Sequence, residues 1–242
     1  MAGEVEIDVI LNEGVNQSLN SSLLNSCIEY LIYQRQQVPL PFHELKRIVE
    51  DQKEIYDDLD TGVSSARERP VVGRSLNSEE KKAVKVYEDL QCLFDHINKL
   101  FLSADVKSAM ILLGSTAVSP KESYYVTFPR TNQGNHTDLS SRICGSSCRK
   151  MIRSLISNQE LGSFKEISAT SMLVFIQANR NSVIEWFRPK PTFKPPQRGQ
   201  SCKIILRTND EPELEDSSDD WIWFQAPVIV KGYRHKTGSA GL

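Results

Sequence analysis

Between Asn77 and Leu102 the apolar residues Ala83, Val84, Val86, Tyr87, Leu90, Leu93, Phe94, Ile97, Leu100 and Phe101 recur at steps of three and four. That spacing lays a wide apolar stripe down one side of a helix and predicts that the helix is buried. Asn77 with Glu80 three residues on has the form of an N-terminal capping box, and Glu79 and Glu80 sit where the helix dipole favours negative charge. At 1.5 Å per residue such a helix is about 38 Å long, the width of a small domain, so the remaining elements are expected to pack around it.

Val5, Ile7, Val9 and Leu11 alternate with Glu4, Glu6, Asp8 and an outward-facing Ile10, which predicts a strand. Leu19 to Gln37 has helical spacing and stops before Pro39; Val38-Pro39-Leu40-Pro41 is a stiff corner, and Phe42, Leu45, Ile48 and Val49 define one face of a second helix. Past the long helix, strands are predicted over 109–113, 123–128, 168–177 and 202–207, with a helix over 145–158. Trp186 to Pro196 contains too many prolines for a helix or an inner strand and should run extended across the surface. Trp221 to Arg234, three aromatics beside a β-branched run, predicts a strand pair or one long bent strand tied to the body. Helices early and strands late and mixed make this an α+β protein.

Composition refines that picture. A chain of 242 residues with no long polar linker fits one domain, residues 1–242. The stretch 57–75 turns to Asp, Ser, Gly and Arg and reads as a mobile loop; its Arg67, Arg69 and Arg74 are either solvated or a docking or localisation signal. Residues 209–220 read as an acidic loop, 131–141 as another loop, and 235–242 as a frayed tail. With 39% hydrophobic and 25% charged residues and a net charge of -2, neither nucleic acid nor membrane is expected as a general partner. The acidic N-terminus lacks the pattern of a secretion signal, and five cysteines without framework spacing fit a reducing compartment, cytosol or nucleus.

Catalytic signatures are absent from the sequence: no phosphate-cradling glycine loop, no His-Glu-x-x-His and no Gly-x-Ser-x-Gly elbow. Cys144, Cys148 and His136 supply three of the four ligands that a structural zinc wants, and two core thiols explain the cysteines more simply. A cysteine hydrolase using Cys92, Cys148 or Cys202 with His43, His96, His136 or His235 remains an alternative. Trp221, Trp223 and Phe224 could stack on bases, but the adjoining acidic tract repels a phosphate backbone. No cofactor is expected.

A binding role has better support. When 145–158 is projected at 100° per residue, Cys144, Cys148, Met151 and Leu155 form a core face. Ile152 and Ile156 then fall on the shoulder beside Arg149 and Arg153, apolar groups with cations at the rim. Such a pattern suits a protein-protein hot spot, although a broad core face could also absorb both isoleucines.

Four collinear strings, LIYQRQQVPLPFHELK (31–46), ILLGSTAVSPKESYY (111–125), EWFRPKPTFKPPQRG (185–199) and WIWFQAPVIVKGYR (221–234), together resemble the comet-type family of spindle-checkpoint silencing proteins. The resemblance implies a single HORMA-like domain with the long helix at its centre, a mixed and antiparallel sheet, and a C-terminal segment wrapped over the body as an intramolecular safety belt. It implies a non-enzymatic adaptor that binds the closed conformer of mitotic arrest deficient protein two and helps an AAA+ ATPase open it, in nucleus and cytoplasm and at spindle and kinetochore in mitosis. By the same resemblance Gln34 and Ile152 contact the checkpoint protein and Pro189 and Lys190 contact the ATPase. Helix geometry adds Arg149, Arg153 and Ile156 to the first set, and adjacency adds Arg188 to the second. A HORMA-type scaffold holding a different partner or a closure-motif peptide is the nearest alternative.

Overall fold

The computed structural model describes residues 4–11, 15–50, 77–129, 141–209 and 220–234. The predicted loop 57–75, the tail 235–242, and nearly all of the loops 131–141 and 209–220 lie outside the described residues. In chain order the elements are β1 (Glu4–Leu11), α1 (Gln17–Gln34), α2 (42–50), α3 (Ser78–Ser103), β2 (Val106–Leu113), β3 (Glu122–Thr127), α4 (Ser141–Ser157), α5 (Gln159–Gly162), β4 (Ser171–Asn179), β5 (Arg188–Lys190), β6 (Gln200–Thr208), β7 (Trp221–Gln225) and β8 (Val230–Lys231). The fold is α+β, as the order of apolar periods predicts.

Eight strands form one mixed sheet in the order β1-β6-β3-β2-β4-β7-β5, with β8 also paired to β4. β6 runs parallel to both of its neighbours, β1 and β3, while the remaining pairs are antiparallel. Period-2 alternation then sends side chains to opposite faces. Ile111, Val174, Ile176 and Phe224 point into the main core beneath the helices, and Met110, Leu112, Phe175 and Trp223 point outward into a smaller apolar cluster. Phe193 caps that cluster, stacked on Phe175 at 4.1 Å and edge-on to Trp223 at 5.6 Å. The outer face at β1 and β6 is polar instead, with Lys203 3.3 Å from Glu6 and Arg207 2.9 Å from Asp8.

The helices cover the inner face. α1, capped by Asn16, buries Leu19, Leu23, Leu24, Cys27, Ile28, Leu31 and Ile32 and packs against both α3 and α4. α3 begins with the full reciprocal capping box between Asn77 and Glu80, and its buried stripe from Ala83 to Phe101 is the one its periodicity implies.

Several boundaries differ from expectation for identifiable reasons. β4 begins at Ser171 and not at 168, because the approach to it bonds elsewhere: Ile167 O accepts from Arg234, and Thr170 N donates to the Gln37 side chain. α4 starts four residues earlier than 145, and Asn158, expected as its last residue, caps the short α5 by accepting from Leu161 N. The proline-rich stretch holds a three-residue edge strand, β5, tolerated there because Pro189, which lacks an N–H, lies in the outermost strand.

Candidate functional site

α4, α1 and the start of α2 together build a groove. Its fully buried Met151 and Leu155 fix the helix against the body, and helical geometry then turns Ile152 to the side facing α1. Cys148, Arg149, Ile152 and Arg153 meet Ser26, Glu29, Tyr30 and Tyr33 of α1 and Pro41, Phe42 and His43 at the start of α2, around a cavity of about 420 Å³. Its floor is aromatic, Phe42 stacking on Tyr87 at 5.4 Å and meeting Phe94 edge-on at 5.2 Å. Arg149 and Arg153 are exposed at its rim. Burial raises the Glu29 carboxyl above its ordinary range, an effect that His43 opposes.

Ile152 lies on the shoulder of the core face: it is half-buried, with its inner edge packed against the core. The core face is centred on Ser147, Met151 and Leu155, which draws Ile152 partly inward. Ile156 is 64% exposed, yet it lies one turn beyond the groove and does not line it.

Gln34, exposed at the last turn of α1, lines an adjacent depression of about 450 Å³ with Tyr33, Gln36, Val38, Pro39 and Arg234. Tyr33, 46% exposed, borders both hollows and joins them into one surface. Thus Gln34, Arg149, Ile152 and Arg153, which lie 115 or more positions apart between helix α1 and helix α4, share one side of the molecule.

What fixes this corner was missed in the sequence. Arg35 caps α1 and reaches into the body, where its Nε lies 3.1 and 3.0 Å from the two carboxylate oxygens of Glu122, a side chain with no exposure. Tyr124 Oη and Gln200 Nε2 also donate to that carboxylate, at 2.7 and 3.2 Å, and Arg35 donates to Lys165 O at 2.7 Å. Burial lowers the tendency of Arg35 to stay charged, and the hydrogen bonds and charge of Glu122 outweigh it, leaving the guanidinium more basic than usual. Arg35 sits in a turn, and Glu122 and Gln200 each begin a strand, so none of the three belongs to an apolar period that would signal this network.

β5 stands apart, at the sheet edge. Arg188, Pro189 and Lys190 are all exposed, and their ladder partner is β7, through Gln225, Phe224 and Trp223. The strand is anchored by its predecessors: Phe187 is 2% exposed, and Trp186 stacks on His96 of α3 at 4.0 Å.

Among the described residues the thiols offer no nucleophile–base pair. His96 Nδ1 lies 3.7 Å from Cys92 Sγ but 2.8 Å from Cys92 O; a carbonyl only accepts, so Nδ1 carries its proton and cannot take one from the thiol. Burial pushes the Cys148 thiol up and the Cys202 thiol up to about 12, the opposite of an activated thiolate. Among the described residues no group of three metal-ligating side chains converges, and His136 lies outside them.

Comparison with known proteins places the chain. The model of a family described as "p31comet: Mad1 and Cdc20-bound-Mad2 binding" matches residues 2–235. Two relatives are the MAD2L1-binding proteins of Mus musculus and Homo sapiens. The mouse protein is 27% identical over 207 residues, covering 85% of this chain and 71% of the relative. The human protein is 27% identical over 208 residues, covering 86% and 72%. A match over nearly the whole length, on an α+β fold whose C-terminal strands β7 and β8 pair with β4 in the sheet, means that the chain belongs to the p31comet family.

Proposed function

We propose that this chain is a non-enzymatic adaptor that binds Mad2 in its closed conformer through the joined hollows of α1 and α4, and presents the β5 edge to an AAA+ ATPase that opens that conformer, silencing the spindle checkpoint. Support for the partner comes from the relatives, both named as MAD2L1-binding, and from a family description that specifies Mad2 in its Cdc20-bound state. The observation that carries the docking surface is the groove itself, aromatic and aliphatic at its floor with Arg149 and Arg153 at its rim, the anatomy of an interface anchor. At β5, Arg188 and Lys190 project from a rigid, anchored edge, so a partner engaging them orders little chain on binding. The adaptor would work in nucleus and cytoplasm and at kinetochores in mitosis.

Gln34→Ala combined with Ile152→Ala should abolish capture by Mad2 loaded with a Cdc20 peptide. Because Ile152 packs against the core at its inner edge, that substitution alone should lower stability by about 1 kcal/mol. Arg153→Glu, at an exposed rim position, provides the test without a packing loss and should weaken capture at an unchanged melting temperature. Binding at wild-type strength in both variants would sink the assignment. Capture of a different peptide by the wild-type chain, with Mad2 ignored, would favour the closure-motif scaffold.

A further inference from the structure

Gln37, three residues past the end of α1, is buried and hydrogen-bonded both to the end of α1 and to two distant parts of the chain. Its Nε2 donates to Arg35 O at 2.7 Å and its Oε1 accepts from Thr170 N at 2.8 Å. Its main chain donates to Ile32 O and accepts from Tyr233 N, both at 2.8 Å. On the far side Gly232 N donates to Thr170 O at 2.8 Å, so tightly that a Cβ on Gly232 would come within 2.8 Å of both Gln37 O and Thr170 O. The turn after α1, the approach to β4 and the Gly232–Tyr233 stretch of the C-terminal segment therefore meet at Gln37, whose side chain bonds Thr170 and whose main-chain carbonyl bonds Tyr233. Between Gln34 and Gln37 sits Gln36 with φ 51°, the only non-glycine residue with positive φ among the described residues. A left-handed glutamine persists only where its surroundings enforce it.

We propose that Gln37 is a positioning residue for the docking corner: it holds the turn that ends α1 directly after Tyr33 and Gln34, and it does so only while the Gly232–Tyr233 stretch of the C-terminal segment is seated. The proposal rests on the Mad2-docking reading and adds a coupling to it. The same segment begins as β7, the strand to which β5 is hydrogen-bonded, and continues through β8 to Gly232. One continuous strap thus links the edge offered to the ATPase with the corner offered to Mad2. Unseating the strap's end would release Gln37, relax the left-handed turn and misplace Gln34, loosening the grip on Mad2 without any change in the groove at α4.

A mutant cycle tests this, with affinity for Cdc20-peptide-loaded Mad2 measured for the full chain, Gln34→Ala, Gln37→Ala and the pair. Gln34→Ala should weaken binding about tenfold in the wild-type background and less than about threefold once Gln37 is gone, since the corner is already displaced. A purely structural role for Gln37 would leave the Gln34 effect equal in both backgrounds, and that result would overturn the proposal. If Gln37→Ala does not fold, Gly232→Ala repeats the cycle from the strap side. It should also speed amide exchange at Thr170 and Tyr233 while sparing β2 and β3; unchanged exchange there together with additive binding effects counts against the coupling. A harmless Gln34→Ala in the wild-type chain would instead remove the docking reading, and the latch with it.

Discussion

Arg35 and Glu122 are 87 residues apart and form a buried ion pair, the guanidinium facing both carboxylate oxygens with 10% of the arginine side chain and none of the glutamate exposed. The pair joins the C-terminus of α1 to the start of β3, and Tyr124 and Gln200 satisfy the remaining carboxylate lone pairs. It is therefore a joint between the helical layer and the sheet, formed by the residue that directly follows Gln34 in the chain.

Breaking one half of this joint should cost more than removing both. Glu122→Ala leaves a buried guanidinium without its counter-charge, at about 3 kcal/mol. For a chain of this length that corresponds to a fall of roughly 6–12 °C in melting temperature. Arg35→Met with Glu122→Leu should recover most of the loss. Thermal melts in which Glu122→Ala matches the wild type would show that the pair contributes little.

Alkali should destabilise the protein through its buried thiols. Cys202 is pushed from 9.0 up to about 12 by burial, and Cys27, fully buried, is pushed up further for the same reason. The unfolded chain releases these protons first, so stability is complete below about pH 9 and falls as pH rises toward the folded values. Each thiol contributes a slope of about 1.4 kcal/mol per pH unit in that window. Urea midpoints compared at about pH 8 and about pH 10.5 should show a smaller drop for Cys27→Ala with Cys202→Ala than for the wild type; equal drops would assign the sensitivity to other groups.

Ending the chain at Asp220 should unfold it. The cut removes β7 and β8 and with them the buried Ile222, Trp223, Phe224, Val230 and Tyr233, and it deprives β5 of its ladder partner. At about 25 cal/mol per Å² of apolar area these side chains represent several kcal/mol. A truncated protein that is soluble and melts cooperatively by circular dichroism would contradict this.

Substitutions at the β5 edge should separate the two proposed partners. Pro189→Ala with Lys190→Glu changes only exposed positions and should leave Mad2 capture intact while blocking ATPase-driven opening of the closed conformer. Since Arg188 and Lys190 are solvated cations, wild-type engagement should weaken with added salt. Opening at the wild-type rate by the double variant would move the contact elsewhere.

Periodic elements were legible because burial on one face dictates spacing: the stripe of α3, the alternation of β1 and the core face of α1 all follow from where apolar residues recur. Ile152 was only partly legible, since a helical projection gives an angle but not how broadly the body wraps the helix. Arg35, Gln37 and Glu122 were not legible at all. Their distant partners lie 87 to 196 positions away, and a polar residue in a turn or at a strand end looks the same whether it faces water or a buried partner. β5 was hidden by its prolines, because the rule against proline in sheets has its exception at the outermost strand.

The parallel ladder between β1 and β6 pairs Glu4 with Ser201 and Leu11 with Thr208. β1 therefore has no ladder partner until β6 has been made, Ser201 lying 197 positions beyond Glu4, and loop closure over that distance slows the step. Until then Val5, Ile7, Val9 and Leu11 line an unpaired edge on an incomplete body, the kind of surface that holdase chaperones recognise. Biogenesis, more than equilibrium stability, is then where this topology is most vulnerable, and expression yield should respond more sharply to chaperone supply than the melting temperature of the finished protein would suggest.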